Sequence, residues 1–300
     1  MVPILLSVAF IVFSIMALTP GDPGSLILGT GADSQSIAQL NHSLGFDRPF
    51  WVRFATYIYN LVSRLDMGKS YYGNIPVARE VFSKLPVTTL IALNGMIFAI
   101  VVGIPLGVLS AVKQYSLLDT IPTTIALFLA AVPTFWLGMI LMFVLSQELG
   151  WFPSSGIGSW KHYILPMVAL GLPYASIELR FTRSSMLETI RQDYIRTARA
   201  KGAPERTVIW KHALKNALLP VITITGINFG ALIGGAVITE SLFAIPGLGS
   251  LIINSIRMKD VPMVLGATIV LAAIFSVVML AVDLLYAFVD PRIKALYSKR

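Results

Sequence analysis

Cysteine is absent from this chain, so no disulfide framework, thiolate metal site or cysteine nucleophile can form. Charge is scarce as well: 13% of the 300 residues are Asp, Glu, Lys or Arg, about half of the roughly 25% usual in a soluble domain. Histidine is limited to His42, His162 and His212. The first two fall on the opposite membrane side from the third in the reading below, so no trio of imidazoles meets at a metal. Neither His-Glu-x-x-His nor Gly-x-Ser-x-Gly occurs, and no Gly-x-x-x-x-Gly-Lys-Ser/Thr phosphate loop is present. These absences make a membrane enzyme the weakest reading and require that any ATP-driven cycle use a separate subunit.

What the chain does have is apolar surface. Hydrophobic residues make up 56% of it and the mean hydropathy is +0.77, which places it in a bilayer. Residues 2–18 are apolar and just long enough to cross, since about 20 residues span the hydrocarbon core. No positive residue precedes them, and Thr19-Pro20-Gly21-Asp22-Pro23 follows where a cleavage site would need small residues, so they read as a retained first span. Residues 19–86 mix Arg48, Arg53, Arg64, Lys69, Arg79 and Lys84 with Asp22, Asp33, Asp47, Asp66 and Glu80. That balance, interspersed with aromatics, describes a small ordered external region. Five further spans are expected at 87–112, 121–145, 164 to about 181, 218 to about 238, and 264–289, six in all.

The net charge of +8 is distributed unevenly. Fourteen Lys and Arg (Lys113, the nine from Arg180 to Lys215, and Arg292, Lys294, Lys299 and Arg300) fall on one side of these spans. The other nine are spread over longer segments, so the first side is expected to be cytoplasmic, with both termini inward. This placement reads as membrane orientation, not nucleic-acid binding. Gly103 and Gly107, and Gly226, Gly230 and Gly234, recur at four-residue spacing and suit close helix packing, more readily within one subunit than at a dimer seam. Pro105, Pro122, Pro133, Pro166 and Pro173 are expected to bend or interrupt spans. Glu178, Arg180 and Arg183 gather toward the inner end of the fourth span, and Asp119 opens the third. Asp283, close to the inner end of the sixth, reads as locally paired or hydrated in preference to a proton relay.

One polar interruption stands out, residues 184–217. Leu187, Ile190, Tyr194 and Ala198 recur at helical spacing, placing an apolar stripe opposite Arg191, Arg196, Arg199 and Lys201. Gly202 supplies a stop that tolerates positive φ. Pro204 and Glu205 then suit the first turn of a second helix. Two short helices joined at a glycine bend are expected. Thr197, Ala198 and Ala200 are small enough for another surface to approach closely, so the helix fits protein docking. Adsorption to anionic lipid would use the same stripe and charges.

The string Arg196-Thr197-Ala198-Arg199-Ala200-Lys201-Gly202, followed by Lys211-His212-Ala213-Leu214-Lys215-Asn216-Ala217-Leu218-Leu219-Pro220, resembles the EAA loop of binding-protein-dependent ABC importer permeases. The resemblance is strongest to the dipeptide/oligopeptide/nickel branch. Arg196-Thr197-Ala198 stands where the wider superfamily has Glu-Ala-Ala, and Pro220 follows Gly202 by 18 positions. That spacing is longer than the superfamily pattern, and both departures are shared by the branch. Ala203 occupies a position where relatives often have a Ser cap. A second string, Thr239-Glu240-Ser241-Leu242-Phe243-Ala244-Ile245-Pro246-Gly247-Leu248-Gly249, is also typical of the family. With the apolar turns after it, it reads as an external re-entrant segment, 239–262. Gly45-Phe46-Asp47-Arg48-Pro49 and Asp66-Met67-Gly68-Lys69-Ser70 match the family's external region.

The resemblance implies an all-α polytopic membrane protein with the six-span type I importer fold. Its parts would be a first helix (1–18), an external region (19–86), a permease core (87–291) and a cytoplasmic tail (292–300). It implies a permease subunit that moves peptides, or a nickel or other metal chelate, by alternating access, with no catalytic, cofactor or metal site of its own. ATP and Mg would be held by two cytoplasmic ATPase subunits, and the other partners would be a second homologous permease and an extracytoplasmic solute-binding protein in the plasma membrane. ATPase coupling would fall to Asp193, Tyr194, Arg196, Thr197, Ala198, Arg199, Ala200, Lys201 and Gly202. An external gate would comprise Glu240, Phe243, Pro246, Gly247, Leu248, Gly249 and Ile252. The alternative is a secondary transporter or channel, which would show midplane charges or a polar filter and would leave the basic loop without a role.

Overall fold

The computed structural model describes residues 1–29 and 31–289; the side chain of Asp283 and the expected tail with Arg292, Lys294, Lys299 and Arg300 lie outside the described residues. The helices in order are α1 (Val2–Leu18), α2 (Pro23–Leu28), α3 (Ser34–Ser43), α4 (Phe50–Arg64), α5 (Val77–Val112), α6 (Leu117–Ala131), α7 (Thr134–Leu141), α8 (Ile164–Ile190), α9 (Asp193–Ala200), α10 (Glu205–Thr207), α11 (Leu214–Leu242), α12 (Leu248–Arg257) and α13 (Val261–Val289). Wider π-type turns follow α7 (Met142–Glu148) and join α10 to α11 (Val208–Ala213). Among the described residues no β-strand forms, and the fold is all-α.

Among the described residues four helical runs are long and apolar enough to cross a membrane: Val77–Val112, Trp160–Ile190, Glu205–Leu242 and Val261–Val282. The bent pair Leu117–Ala131 and Thr134–Glu148 makes a fifth if counted as one crossing. The sixth expected span is α1, whose 17 residues sit at the lower limit of about 17 for a crossing. Of the expected proline bends, one breaks a span. Pro133 forces Val132 into extended backbone (φ −81°, ψ 128°), because the proline ring clashes with a helical residue before it. The two halves meet at 107°. Pro105, Pro122 and Pro173 instead lie inside continuous helices, and Pro166 lies in the first turn of α8, where its missing N–H is harmless.

The chain divides into two compact units, residues 1–88 with 244–276, and residues 89–243 with the part of α13 from Val277. In the first unit, Phe10 and Phe13 of α1 meet Phe50, Trp51 and Phe54 of α4 in edge and stacked contacts. Asp22 caps α2 through the Ser25 amide (2.8 Å) and accepts from Asn41 Nδ2 (2.6 Å), tying α2 to α3. These bonds hold its carboxyl below the usual aspartate range, the Asn41 bond foremost. A core of Val77, Val81, Leu248, Met263, Ala267 and Val270 joins α5, α12 and α13.

In the second unit α8 is central. Glycines bring α5 against it: a Cβ on Gly103 would lie 2.5 Å from the Ala175 carbonyl oxygen and 2.7 Å from Glu178 Cβ, and one on Gly107 would lie 2.6 Å from Thr182 Cβ. The contacts advance together along both helices, so α5 and α8 run parallel. The chain between parallel neighbours must return across their length, and the bent α6–α7 segment makes that return. Against α11 the register reverses, with Ser185 bonding the Ala217 carbonyl and Glu178 meeting Thr225 and Asn228, so α8 and α11 are antiparallel. Gly103 and Gly107 therefore serve close packing within one chain, as does Gly226 against Val282.

A methyl group at this seam should be costly. Gly103→Ala is expected to destabilise by about 1–3 kcal/mol through overpacking. Gly234→Ala, where nothing lies within 4 Å of the added carbon, should cost no more than about 0.5 kcal/mol. Thermal midpoints of the detergent-solubilised variants check this, and equal midpoints would contradict the seam.

Candidate functional site

The basic segment is not a loose arm. Ile195 of α9 is fully buried in a core with Val108 and Ala111 of α5, Met186 of α8, Val208, Ile209 and Ala213 of the π-type turn, and Ala217 of α11. Leu187, Ile190, Ala198 and Ala203 pack against the same core. Three members of the expected apolar stripe are thus on it, but Tyr194 is exposed and Ile195 takes its place. The reason is local: α8 ends at Ile190, and Gln192 adopts ψ 150° before α9 starts at Asp193. This extended residue resets the helical phase, so a stripe drawn continuously through it comes out one residue early. The signal for Ile195 was the apolar pair Ile195 and Ala198 counted from α9 itself.

Gly202 has φ +79° and no atom within 4 Å of an added Cβ. The Ala203 amide reaches back to the Ala198 carbonyl (3.2 Å) and the Gly202 amide to Arg199 (2.9 Å). This is the six-to-one and five-to-two pairing of a helix end closed by a left-handed residue, and Ala198 and Ala203 both pack on the common core. Pro204 is the N-cap, one position earlier than expected, with Glu205 as the first helical residue. The second helix is also not short: from Glu205 the helical run continues without interruption to Leu242. Across the bend Arg199 holds Glu205 in a fork, Nη2 to Oε1 at 2.7 Å and Nε to Oε2 at 3.1 Å. Both side chains are well exposed, so the pair contributes little stability and mainly fixes the angle.

Of the nine expected coupling residues, Asp193, Tyr194, Arg196, Thr197, Arg199, Ala200, Lys201 and Gly202 are exposed, and Ala198 is half-buried on the chain's own core. Thr197 donates to the Asp193 carbonyl (2.9 Å), and Arg196 lies 3.6 Å from the Asp193 carboxylate. The outward surface of α9 is therefore polar and basic.

Two polar links in the same unit were not anticipated as pairs. Arg183 grips Asp119 in a fork, Nε to Oδ1 at 2.6 Å and Nη2 to Oδ2 at 2.8 Å, and Asp119 Oδ2 also accepts from the Tyr115 amide (2.9 Å). The sequence placed each charge near the same end of its span, which was the available clue. Glu178 is fully buried and accepts from Asn228 Nδ2 and Thr225 Oγ1, both at 3.1 Å.

The expected gate residues fall in both units. Glu240 and Phe243 are buried near the end of α11. Ala244, at φ 49°, turns the chain, and Gly247, Leu248 and Gly249 begin α12, with Pro246 and Ile252 half-buried. The Leu248 amide donates to Thr88 Oγ1 (2.8 Å), and Leu248 is fully buried. After α12, Lys259 donates to the carbonyls of Thr19 and Gly21, and burial pushes its ammonium below the usual lysine range. Asp260 accepts from the Ser70 hydroxyl and the Tyr71 amide; burial raises its carboxyl, and these bonds oppose the rise. Among the described residues no three His, Asp or Glu side chains converge as a metal site.

Residues 103–295 match the family described as binding-protein-dependent transport system inner membrane component, and residues 1–92 match its N-terminal counterpart. The chain is 40% identical to the dipeptide transport system permease protein DppB of Alkalihalophilus pseudofirmus, over 98% of this chain and 96% of that protein. It is 41% identical to the glutathione transport system permease protein GsiC of Salmonella choleraesuis and 40% identical to that of Escherichia coli, with the same coverage. Its fold resembles the inward-facing MetNI methionine ABC transporter (TM-score 0.59, 19% identity, 70% of this chain and 96% of that chain). A crystallised amino acid ABC transporter is also similar (TM-score 0.54, 13% identity, 72% and 94%). A fold of parallel and antiparallel apolar helices, bearing a basic helix on its own core, and these matches along nearly its whole length agree: the chain belongs to the binding-protein-dependent transport system inner membrane components, as a multi-pass permease of the peptide-type ABC importer branch.

Proposed function

We propose that this permease imports short peptides, driven by two cytoplasmic ATPase subunits that dock on α9 and fed by an external solute-binding protein, with a second homologous permease completing the pathway. ATP and Mg²⁺ would be held by the ATPase subunits. Peptides are the substrate class carried by the relatives' names, dipeptide and glutathione, and this reading is preferred to a nickel chelate. Lys and Arg placement supports a cytoplasmic α9 and inward termini.

The observation that carries the docking role is the orientation of α9. A helix adsorbed to lipid must turn its apolar side to the bilayer, but here Ile195 and Ala198 are spent on the chain's own core. What remains outward is basic and small-residued, a surface for protein. A secondary transporter would have no use for such a face. Coupling then follows from construction: α9 shares its core with the ends of α5, α8 and α11, so a push on α9 is delivered to packed spans as a rigid displacement, as a two-state switch requires. The segment 239–262 is proposed as the external gate, anchored by Leu248 in the core that α12 shares with α5 and α13.

Because Ala198 faces inward, a larger side chain there tests folding, and Ala200, which is exposed, tests docking. Ala200→Leu should leave the permease inserted and folded but weaken ATPase retention by about fivefold to a hundredfold, the equivalent of about 1–3 kcal/mol of overpacking in a protein groove. Retention and ATP-driven uptake equal to the unaltered chain would exclude docking at this face. Gly202→Val places a β-branched residue at φ +79°, a backbone strain of about 1–3 kcal/mol. It is expected to leave ATP hydrolysis running while peptide uptake in proteoliposomes falls, and normal uptake would count against the bend as the coupling joint.

A further inference from the structure

The first compact unit contains a pocket of about 260 Å³ that the transport reading does not use. Its polar wall is Arg48, Arg53, Thr56, Tyr57, Asn60 and Tyr71, and its floor includes the buried Phe13, Val261 and Leu265. Two cations and no acid line it.

Among the described residues no carboxylate lies within salt-bridge distance of Arg48 or Arg53. Asp47, next to Arg48 in sequence, is engaged by His42 at 2.7 Å. Arg53 is held in place by stacking on Phe46 (4.3 Å to the ring centre) and Phe13 (5.5 Å) and by donating to the Phe46 carbonyl (3.2 Å). A guanidinium has five N–H donors, so this anchoring orients Arg53 and leaves donor capacity over. The nearby acids have partners: Asp66 accepts from the Gly68 amide, and Asp260 from Ser70 and Tyr71. The Tyr57 hydroxyl is buried with no hydrogen-bond partner among the described residues.

We propose that this pocket binds a carboxylate carried on a compact apolar body, the chemistry shared by a free amino acid and the C-terminal residue of a short peptide. Arg48 and Arg53 supply charge-assisted hydrogen bonds to the carboxylate. Asn60 adds a neutral donor. The floor of Phe13, Val261 and Leu265 takes the side chain. The volume sets the size, since drug-sized ligands need roughly 300 Å³ or more, which leaves room for about one residue.

The test is ligand-observed NMR on the full chain in detergent with its co-purifying subunits, without ATP and without the solute-binding protein, so failure here leaves the transport reading standing. The probes are L-leucine and glycyl-L-leucine, each against its amide, with inorganic phosphate as competitor. Saturable binding of either acid, with the amide bound at least about tenfold more weakly, is expected. A tighter glycyl-leucine identifies a peptide terminus as the ligand, and equal affinities identify the free amino acid. Arg53 is too embedded to be a safe probe, so the variants are Arg48→Gln, at an exposed side chain, and Asn60→Ala. They should raise Kd about tenfold and about threefold respectively. The proposal is overturned if acid and amide bind alike, if neither acid binds, if phosphate competes as well as leucine, or if both variants bind as the unaltered chain does.

Discussion

The burial of Ile195 is the constraint on which the working parts depend. Without it α9 would be a charged helix on a flexible connection, free to meet lipid or solvent. With it, the helix becomes the lid of a core whose walls are the ends of α5, α8 and α11. Fully burying an isoleucine contributes about 1.5–3 kcal/mol, enough to bias a short helix that would be marginal alone. The left-handed Gly202 and the Arg199–Glu205 fork then fix the direction in which the chain enters its next long helical run.

The same unit shows how apolar helices acquire specific neighbours when lipid supplies no hydrophobic drive between them. Gly103 and Gly107 let α5 approach α8 until backbone and side chain touch. On another side α8 offers Glu178 to Thr225 and Asn228 of α11, a bond set that fixes the antiparallel register. Asp119 and Arg183 do the same between α6 and α8. Glu178 and Asp119 are thus each met by donors on a different helix, as a low-dielectric interior demands.

Much of this was legible in the sequence. The apolar helices, the glycine bend and the basic outward face of α9 follow from period, composition and charge, and the family strings supplied the rest of the functional reading. The misses have physical causes. The phase of α9 was lost because one extended residue, Gln192, interrupts a pattern that single-sequence periodicity treats as continuous. Proline positions were visible, but whether a proline breaks a helix depends on whether its neighbours re-satisfy the backbone, so Pro133 and Pro173 look alike until packing is known. The pairing of Asp119 with Arg183, and the pocket beside Arg53, join residues far apart in the chain, and no local pattern encodes such meetings. Ala198 was read both as part of the apolar stripe and as a small docking residue, and it packs on its own chain's core as the stripe required.

The central claim is that α9 and the spans beneath it move as one body. With no native cysteine, Gln192→Cys at the start of α9 and Lys215→Cys on α11, both exposed positions, can carry a spin-label pair in the assembled transporter. Double electron–electron resonance with and without ATP then reads the distance between them. The account predicts a distribution that stays fixed while uptake remains ATP-driven. A nucleotide-dependent change of several ångström within this single chain would mean that α9 swings on its own, and would contradict the rigid core around Ile195.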